Sequence, residues 1–191
     1  MSFLRTRVPH VVTGLAVMSM FAVLPIAAQA AETNLEGTLS GGALSNTAPA
    51  VTPFTATLTG VTQTVKTAVG AWNVTDATGA NAGYSVTVAA TAPTVGGSAA
   101  AAGTGSTLTL TPATATAAAG NPAATGPVAD GPQTLTTTAS TIENAPAASG
   151  QGGWEFAADA GTKSLSVVIP GNASVGAYSS TLTFTTAPPA A

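Results

Sequence analysis

The sequence has 191 residues, of which 45% are hydrophobic and only 6% are charged, and its formal net charge is −3. Only four residues are Lys or Arg, which excludes the clustered cations that nucleic acid phosphates require. Cysteine is absent, so disulfides cannot supply the stability of the fold.

The first thirty residues have the features of a secretory signal peptide. Arg5 and Arg7 precede an apolar stretch over residues 11–27, and Ala28-Gln29-Ala30 provides small residues at a cleavage site. A membrane helix is the alternative, but the small residues and the polar chain that follow favour cleavage after Ala30. We therefore predict a signal peptide at residues 1–30 and one secreted domain at residues 31–191, with no membrane contact after cleavage. This domain carries all seven acidic residues but only Lys66 and Lys163 as cations, so its formal charge is −5.

Apolar residues alternate with Thr or Ser in several short segments, a pattern typical of strands with one face in a core. In chain order, the predicted strands are residues 54–58, 61–69, 72–74, 84–88, 107–111, 133–138, 164–169 and 178–185. Residues 89–107 and 113–132 are rich in Ala, Gly and Thr and predict long loops or loosely packed edges. No stretch combines helical periodicity with caps. The pattern predicts an all-β fold, a single Ig-like or barrel-like β-sandwich.

Asp76, Asn81 and the glycines around them separate two of these strands. The segment superficially resembles a calcium-binding loop, but it lacks the dense oxygen ligands and the bidentate Glu of such loops. We therefore predict a tight, hairpin-like turn here.

The residues that serve common catalytic sites are nearly absent. His10 is the only histidine and lies in the signal peptide, so catalysis by Ser-His or Cys-His and the usual zinc and copper sites are excluded from the secreted domain. Ser-Lys catalysis could use Lys163 and Ser164, although a solvated strand end is the simpler reading. A carboxylate pair for glycoside hydrolysis could come from Glu143, Glu155 and Asp159. Scattered solubilising acids are favoured, so we predict no enzyme activity and no cofactor.

Aromatic residues are few, which makes their positions informative. Phe54, Tyr84 and Phe184 lie in alternating strands and are expected in the core. Trp154 follows a Gly-rich segment, where an exposed ring could stack on a sugar. A core position at the start of a strand is the favoured interpretation of Trp154.

Two segments carry a resemblance to a known family. Residues 74–88, VTDATGANAGYSVTV, place an Asp- and Gly-rich turn before an aromatic-x-aliphatic strand, and residues 176–188, GAYSSTLTFTTAP, combine Tyr, Leu-Thr-aromatic and Pro. Val168-Ile169-Pro170 also fits. This order of features resembles the WxL domain of Gram-positive surface proteins. Tyr84 and Val86 replace the first Trp and Leu of the family, and Phe184 and Thr186 replace the second pair.

The resemblance implies a non-catalytic module that attaches non-covalently to the bacterial cell wall and is secreted to the cell surface. The expected partner is cell-wall glycan or peptidoglycan, with other surface proteins as further partners and nucleic acid excluded. The predicted wall-binding or motif positions are Tyr84, Val86, Trp154, Tyr178, Leu182 and Phe184. A hydroxyl-rich sheet offers hydrogen bonds to glycan and peptide groups, and rings can stack on sugars. The alternatives are a structural subunit of a surface filament or layer and, less favoured, a carboxylate-based carbohydrate-active enzyme.

Overall fold

The computed structural model describes residues 36–121, 125–158 and 164–189. A compact unit spans Leu39–Ala191, and the unit before it, Met1–Thr38, is described only at residues 36–38, which are exposed. The predicted signal peptide, Asp159 and Lys163 lie outside the described residues. No helix in the described part of the chain has the length and apolarity needed to cross a membrane.

Short strands dominate the described residues, with one turn of 3-10 helix at Ala100–Ala102. In chain order the strands are β1 (Leu44–Asn46), β2 (Gln63–Thr67), β3 (Trp72–Asp76), β4 (Tyr84–Ala90), β5 (Thr94–Val95), β6 (Thr107–Leu110), β7 (Ala115–Ala117), β8 (Val128–Ala129), β9 (Gln133–Leu135), β10 (Ser140–Ala145), β11 (Gly152–Phe156), β12 (Leu165–Ile169), β13 (Tyr178–Ser179) and β14 (Leu182–Ala187). The predicted all-β class is confirmed.

The strands form three four-stranded antiparallel sheets. Sheet I has the order β1-β3-β11-β7, sheet II has β14-β4-β10-β8 and sheet III has β2-β12-β6-β9, while β13 and β5 form a two-stranded ribbon. Strands far apart in the chain are neighbours in every sheet, so the fold depends on long-range pairing. The short strands β7 and β8, from the Ala-rich stretch 113–132, lie at sheet edges.

The inner faces of the three sheets share one hydrophobic core. Alternation along β4 buries Tyr84, Val86 and Val88 completely. Trp72 of β3 stacks on Phe156 of β11, with ring centroids 3.8 Å apart and planes 9° apart. The Trp72 ring also contacts Phe184 of β14 at 5.8 Å between centroids. These rings therefore join sheet I to sheet II.

Residues 54–58 were predicted as a strand, and this prediction is wrong. The chain pairs with the residues that directly follow β2 only as far as Val51 and Thr52, where the amide of Thr52 donates to the carbonyl of Ala68 at 2.9 Å. The hydroxyl of Thr67 then donates to the carbonyl of Thr52, so a side chain occupies the acceptor that the next backbone bond of the ladder would use. Farther along, the side-chain amide of Gln63 donates to the carbonyl of Thr57 at 2.9 Å, so a side chain takes the place of a backbone bond.

The predicted strand at residues 178–185 is divided into β13 and β14. Between them the hydroxyl of Ser180 donates to the carbonyl of Thr91 at 2.8 Å. The amide of Thr181 donates to the hydroxyl of Thr91 at 2.9 Å. These side-chain bonds interrupt the ladder where the chain passes from pairing with β5 to pairing with β4.

The turn after Asp76 is not a hairpin, because β3 lies in sheet I and β4 in sheet II. One carboxylate oxygen of Asp76 accepts hydrogen bonds from the amide of Thr78 at 3.0 Å and from its hydroxyl at 2.6 Å. This is the Asx arrangement that favours a turn. Asn81 has φ of 57°, a left-handed conformation that Asn tolerates. The segment thus carries the chain from one sheet to another.

Gly83 and Gly79 allow a matched test of this crossover. Both have positive φ, +79° and +69°, but a Cβ at Gly83 would overlap the carbonyl of Ala145 and lie 2.7 Å from the Pro146 carbonyl oxygen. A Cβ at Gly79 has no atom within 4 Å. We expect Gly83→Ala to lower the free energy of unfolding by about 2–3 kcal/mol and Gly79→Ala by about 1 kcal/mol, measured by urea denaturation. Equal losses would show that close packing at Gly83 does not matter.

Candidate functional site

The two segments that carry the family resemblance form neighbouring strands. β14 pairs with β4 in antiparallel register, with Phe184 opposite Val88 and Thr186 opposite Val86. Directly opposed residues project from the same face of a sheet. Val86 and Val88 are fully buried, whereas Phe184 and Thr186 are half-buried. The β14 side of this pair therefore reaches the boundary of the core.

At that boundary lies a cleft of about 880 Å³, within the usual size range of ligand pockets. Its floor is formed by Leu165, Val167 and Ile169 of β12, together with Leu108 of β6. One wall consists of residues 49–58, which we call the strap. The opposite wall consists of residues 173–180 and the inward side chains of β14, Leu182 and Phe184. The cleft thus separates the strap from the second motif strand.

An aromatic contact joins the two walls. Phe54 of the strap meets Tyr178 of β13 edge to face, with ring centroids 5.3 Å apart and planes 64° apart. The hydroxyl of Ser106 donates to the carbonyl of Val168 at 3.2 Å, so the Tyr178 hydroxyl, 3.0 Å away, donates to Ser106. Burial raises the pKa of Tyr178. Tyr178 is therefore a neutral ring held in a fixed orientation.

The polar groups of the cleft are hydroxyls and backbone groups. No charged side chain is among the described residues that line it. The hydroxyls of Thr55 and Thr57 on the strap, and of Ser174 and Ser179 on the opposite wall, are on exposed residues and make no hydrogen bond within the described protein. Residues 53–58 also make no backbone–backbone hydrogen bond among the described residues. An apolar floor is therefore bordered on both sides by free donors and acceptors.

The sequence model of the family described as "WxL domain surface cell wall-binding" matches residues 38–188. The chain belongs to the WxL domain family. Searches of curated proteins and of solved structures found no match. The match covers every strand of the described fold, so the cell-wall-binding description applies to the whole β domain and indicates association with the cell surface.

The WxL domain brings only some of the predicted wall-binding positions to the cleft. Tyr178, Leu182 and Phe184 line it. Tyr84 and Val86 are completely buried, and Trp154 is 5% exposed. The indole N–H of Trp154 donates to the carbonyl of Gln151 at 3.1 Å. The first motif and Trp154 therefore lie within the core of the domain.

Trp154 is also covered on one face of its ring. A Cβ added at Gly126 would lie 2.7 Å and 2.8 Å from two of the ring atoms. The backbone at Gly126 thus packs directly against the indole, and only a residue without a side chain fits there. This agrees with the favoured interpretation of Trp154 as a core residue.

The strap and the floor were not predicted as parts of the site. Phe54 and Leu58 were read as an ordinary strand, although Pro53 directly before them is a signal against ladder pairing. The floor residues Leu165, Val167 and Ile169 have the pattern of any buried strand face. Alternation alone does not indicate that such a face borders a cleft.

Two of the three carboxylates considered for glycoside hydrolysis, Glu143 and Glu155, are described, and neither lies in the cleft. Glu143 belongs to β10 of sheet II and is fully buried, while Glu155 belongs to β11 of sheet I and is exposed. Neither side chain lines the cleft. Among the described residues, no group of three or more His, Cys, Asp or Glu side chains could hold a metal ion.

Glu143 instead forms a buried polar site of its own. A register shift between Thr141 and Glu143 lets both Ile142 and Glu143 point into the core. Neither carboxylate oxygen of Glu143 has a hydrogen-bond partner among the described atoms. Burial, and secondarily the charge of Asp130, raises the pKa of Glu143 to about 8. Glu143 is therefore mostly protonated at neutral pH.

The Tyr84 hydroxyl is a second buried group without a hydrogen-bond partner in the described structure. Burial raises the pKa of Tyr84, and the charges of Asp76 and Glu143 add to this effect. Tyr84 lies in the first of the two segments that carry the family resemblance. Its ring fills the core, and its hydroxyl lies among acidic groups.

Proposed function

We propose that this WxL domain is a non-catalytic module that attaches non-covalently to peptidoglycan, and that the cleft beside the strap is its contact surface. The observation that carries the proposal is the composition of this cleft. It combines an apolar floor, the rings of Phe54, Tyr178 and Phe184, and exposed hydroxyls, without a charged side chain among its described lining residues. Apolar and aromatic surface with a few polar groups is the composition typical of ligand sites.

A binding role is also supported by the chemistry that the cleft lacks. Catalysis of acyl or glycosyl transfer requires a nucleophile or a general acid–base group at the reacting bond. The described lining offers only Thr, Ser and Tyr hydroxyls as such groups. None of them has a described histidine, lysine or carboxylate beside it in the cleft. Ligand attachment without bond cleavage is the function that this surface serves.

Co-sedimentation with isolated Gram-positive walls tests the proposal. We expect the purified secreted domain to sediment with the walls at low and high salt. Phe54→Ser removes a ring from the cleft and should weaken binding about two- to tenfold, the range expected for one aromatic contact. Val128→Ser is the control, because Val128 is 63% exposed on β8 and does not line the cleft.

Two results would refute the proposal. The first is wild-type protein that stays in the supernatant at both salt concentrations. The second is wall binding by Phe54→Ser that equals the binding of the wild type, which would place the contact surface elsewhere. Circular dichroism of each variant would establish that it is folded before the comparison is made.

A further inference from the structure

We propose that the component of the wall that enters the cleft is its neutral N-acetylated glycan chain, rather than its peptide stems or its anionic polymers. This inference rests on the proposed function and names the ligand of the same site. It follows from the charge, the polarity pattern and the free hydrogen-bonding groups of the cleft.

Charge excludes two classes of wall component. Peptide stems carry carboxylate and ammonium groups, and the described cleft has no charged side chain to pair with them. Anionic polymers carry phosphates, which Lys and Arg bind. The secreted domain has a formal charge of −5 and only two cations, Lys66 and Lys163, so its field repels a polyanion. The glycan chain is the component that binds without a charged partner.

The arrangement of polar and apolar groups matches a sugar ring. A hexosamine has apolar C–H faces and a rim of hydroxyl and acetamido groups, which both donate and accept hydrogen bonds. In the cleft, the floor of β12 and the rings of Phe54 and Tyr178 provide apolar surface. The free hydroxyls of Thr55, Thr57, Ser174 and Ser179 lie on the two walls. A chain of sugars can therefore bury its faces and hydrogen-bond along both edges.

The strap adds a second set of groups for the sugar rim. Its residues 53–58 form no backbone–backbone hydrogen bonds in the described structure, so the amides of residues 54–58 and all their carbonyls except that of Thr57 are open to a ligand. Gln63 occupies the carbonyl of Thr57. The failure of this segment to become a strand thus leaves donors and acceptors beside the cleft.

Calorimetric titration with chemically defined probes tests the inference. The probes are neutral N-acetylglucosamine oligomers, a synthetic stem peptide, a glycerol phosphate polymer and an uncharged peptide of alternating Val and Thr. We expect binding of the N-acetylglucosamine oligomers only. Their affinity should change less than twofold when ionic strength rises from about 0.01 to about 0.15 M, which shortens the Debye length from about 30 to about 8 Å.

Paired variants locate the contact. Ser174→Ala combined with Ser179→Ala should weaken oligomer binding about fivefold or more, because two hydrogen bonds from one wall are removed. Thr183→Val is the matched control, since Thr183 is an exposed hydroxyl on β14 that does not line the cleft. All three positions are exposed, so stability should be nearly unchanged.

The outcomes separate this inference from the proposed function. Wall co-sedimentation without oligomer binding would overturn the glycan as ligand and leave wall attachment intact. Binding of the stem peptide, the phosphate polymer or the Val-Thr peptide in place of the oligomers would also overturn it, and would name the true class of ligand. Absence of both wall and oligomer binding would overturn the two proposals together.

Discussion

Glu143→Gln is expected to stabilise the protein by about 3 kcal/mol at pH 7. The reason is that burial holds the Glu143 carboxyl protonated in the folded protein at a pH where it ionises freely in the unfolded chain. Glu143 is completely removed from solvent, with 0% of its surface accessible, and neither of its carboxylate oxygens has a hydrogen-bond partner among the described atoms. Gln has nearly the same shape as the protonated acid and does not ionise. The substitution therefore removes a penalty while preserving the packing.

The pH dependence follows from the raised pKa. An unfolded Glu has its pKa at about 4.5, whereas the folded pKa of Glu143 is about 8. The stability associated with protonated Glu143 is fully present below pH 4.5 and is lost as pH rises toward 8, at about 1.4 kcal/mol per pH unit. Wild type and Glu143→Gln should be equally stable near pH 4 and should differ by about 5 kcal/mol well above pH 8.

Denaturant unfolding across this pH range measures the effect. Glu155→Gln is the matched control, because Glu155 is exposed on β11 and loses the same formal charge. We expect its unfolding midpoints to follow those of the wild type. Parallel pH profiles for wild type and Glu143→Gln would contradict a buried, protonated Glu143.

Trp72→Ala is expected to lower the free energy of unfolding by about 3–5 kcal/mol. Trp72 is 7% exposed, stacks on Phe156 within sheet I and touches Phe184 of sheet II. Removing the indole therefore leaves a cavity between two sheets. It also removes the contact that supports the Phe184 ring in the β14 wall of the cleft. Weaker wall binding should accompany the loss of stability.

The control for this prediction is Val128→Ala, an apolar truncation at an exposed position on β8. Its expected effect lies within about 0.5 kcal/mol. Trp72→Phe keeps an aromatic ring and should cost less than Trp72→Ala. Urea denaturation compares all three variants. If Trp72→Ala were as stable as Val128→Ala, Trp72 would not join the sheets.

Sequence alternation predicted the fold class because several strands have one buried face with period two. Residues 84–88 and 164–169 are examples, and both correspond to strands in the structure. β10 was missed because its register shift buries Ile142 and Glu143 in succession, which breaks the alternation. β11 was anticipated only as a strand that starts at Trp154, because Gly152 and Gly153 resemble a flexible loop, although both pair with β3.

The candidate site was less predictable than the fold. The second motif strand placed Leu182 and Phe184 correctly on one face, but only the tertiary structure brings that face beside β12 and the strap. Residues 54–58 have a strand-like sequence and nevertheless lie outside the sheets, beyond the point where the Thr67 hydroxyl takes the carbonyl of Thr52 and the ladder ends. A cleft that forms because a segment stays outside the sheets cannot be recognised from the local sequence.

The most direct test of the cleft as the wall-binding surface is methyl and aromatic NMR shift mapping with soluble peptidoglycan fragments. We predict perturbations at the floor methyl groups of Leu165, Val167 and Ile169 and at the rings of Phe54 and Tyr178, with none at Val128. Perturbations that spare the cleft and gather around Val128 or another face, in a protein that still sediments with walls, would contradict this assignment.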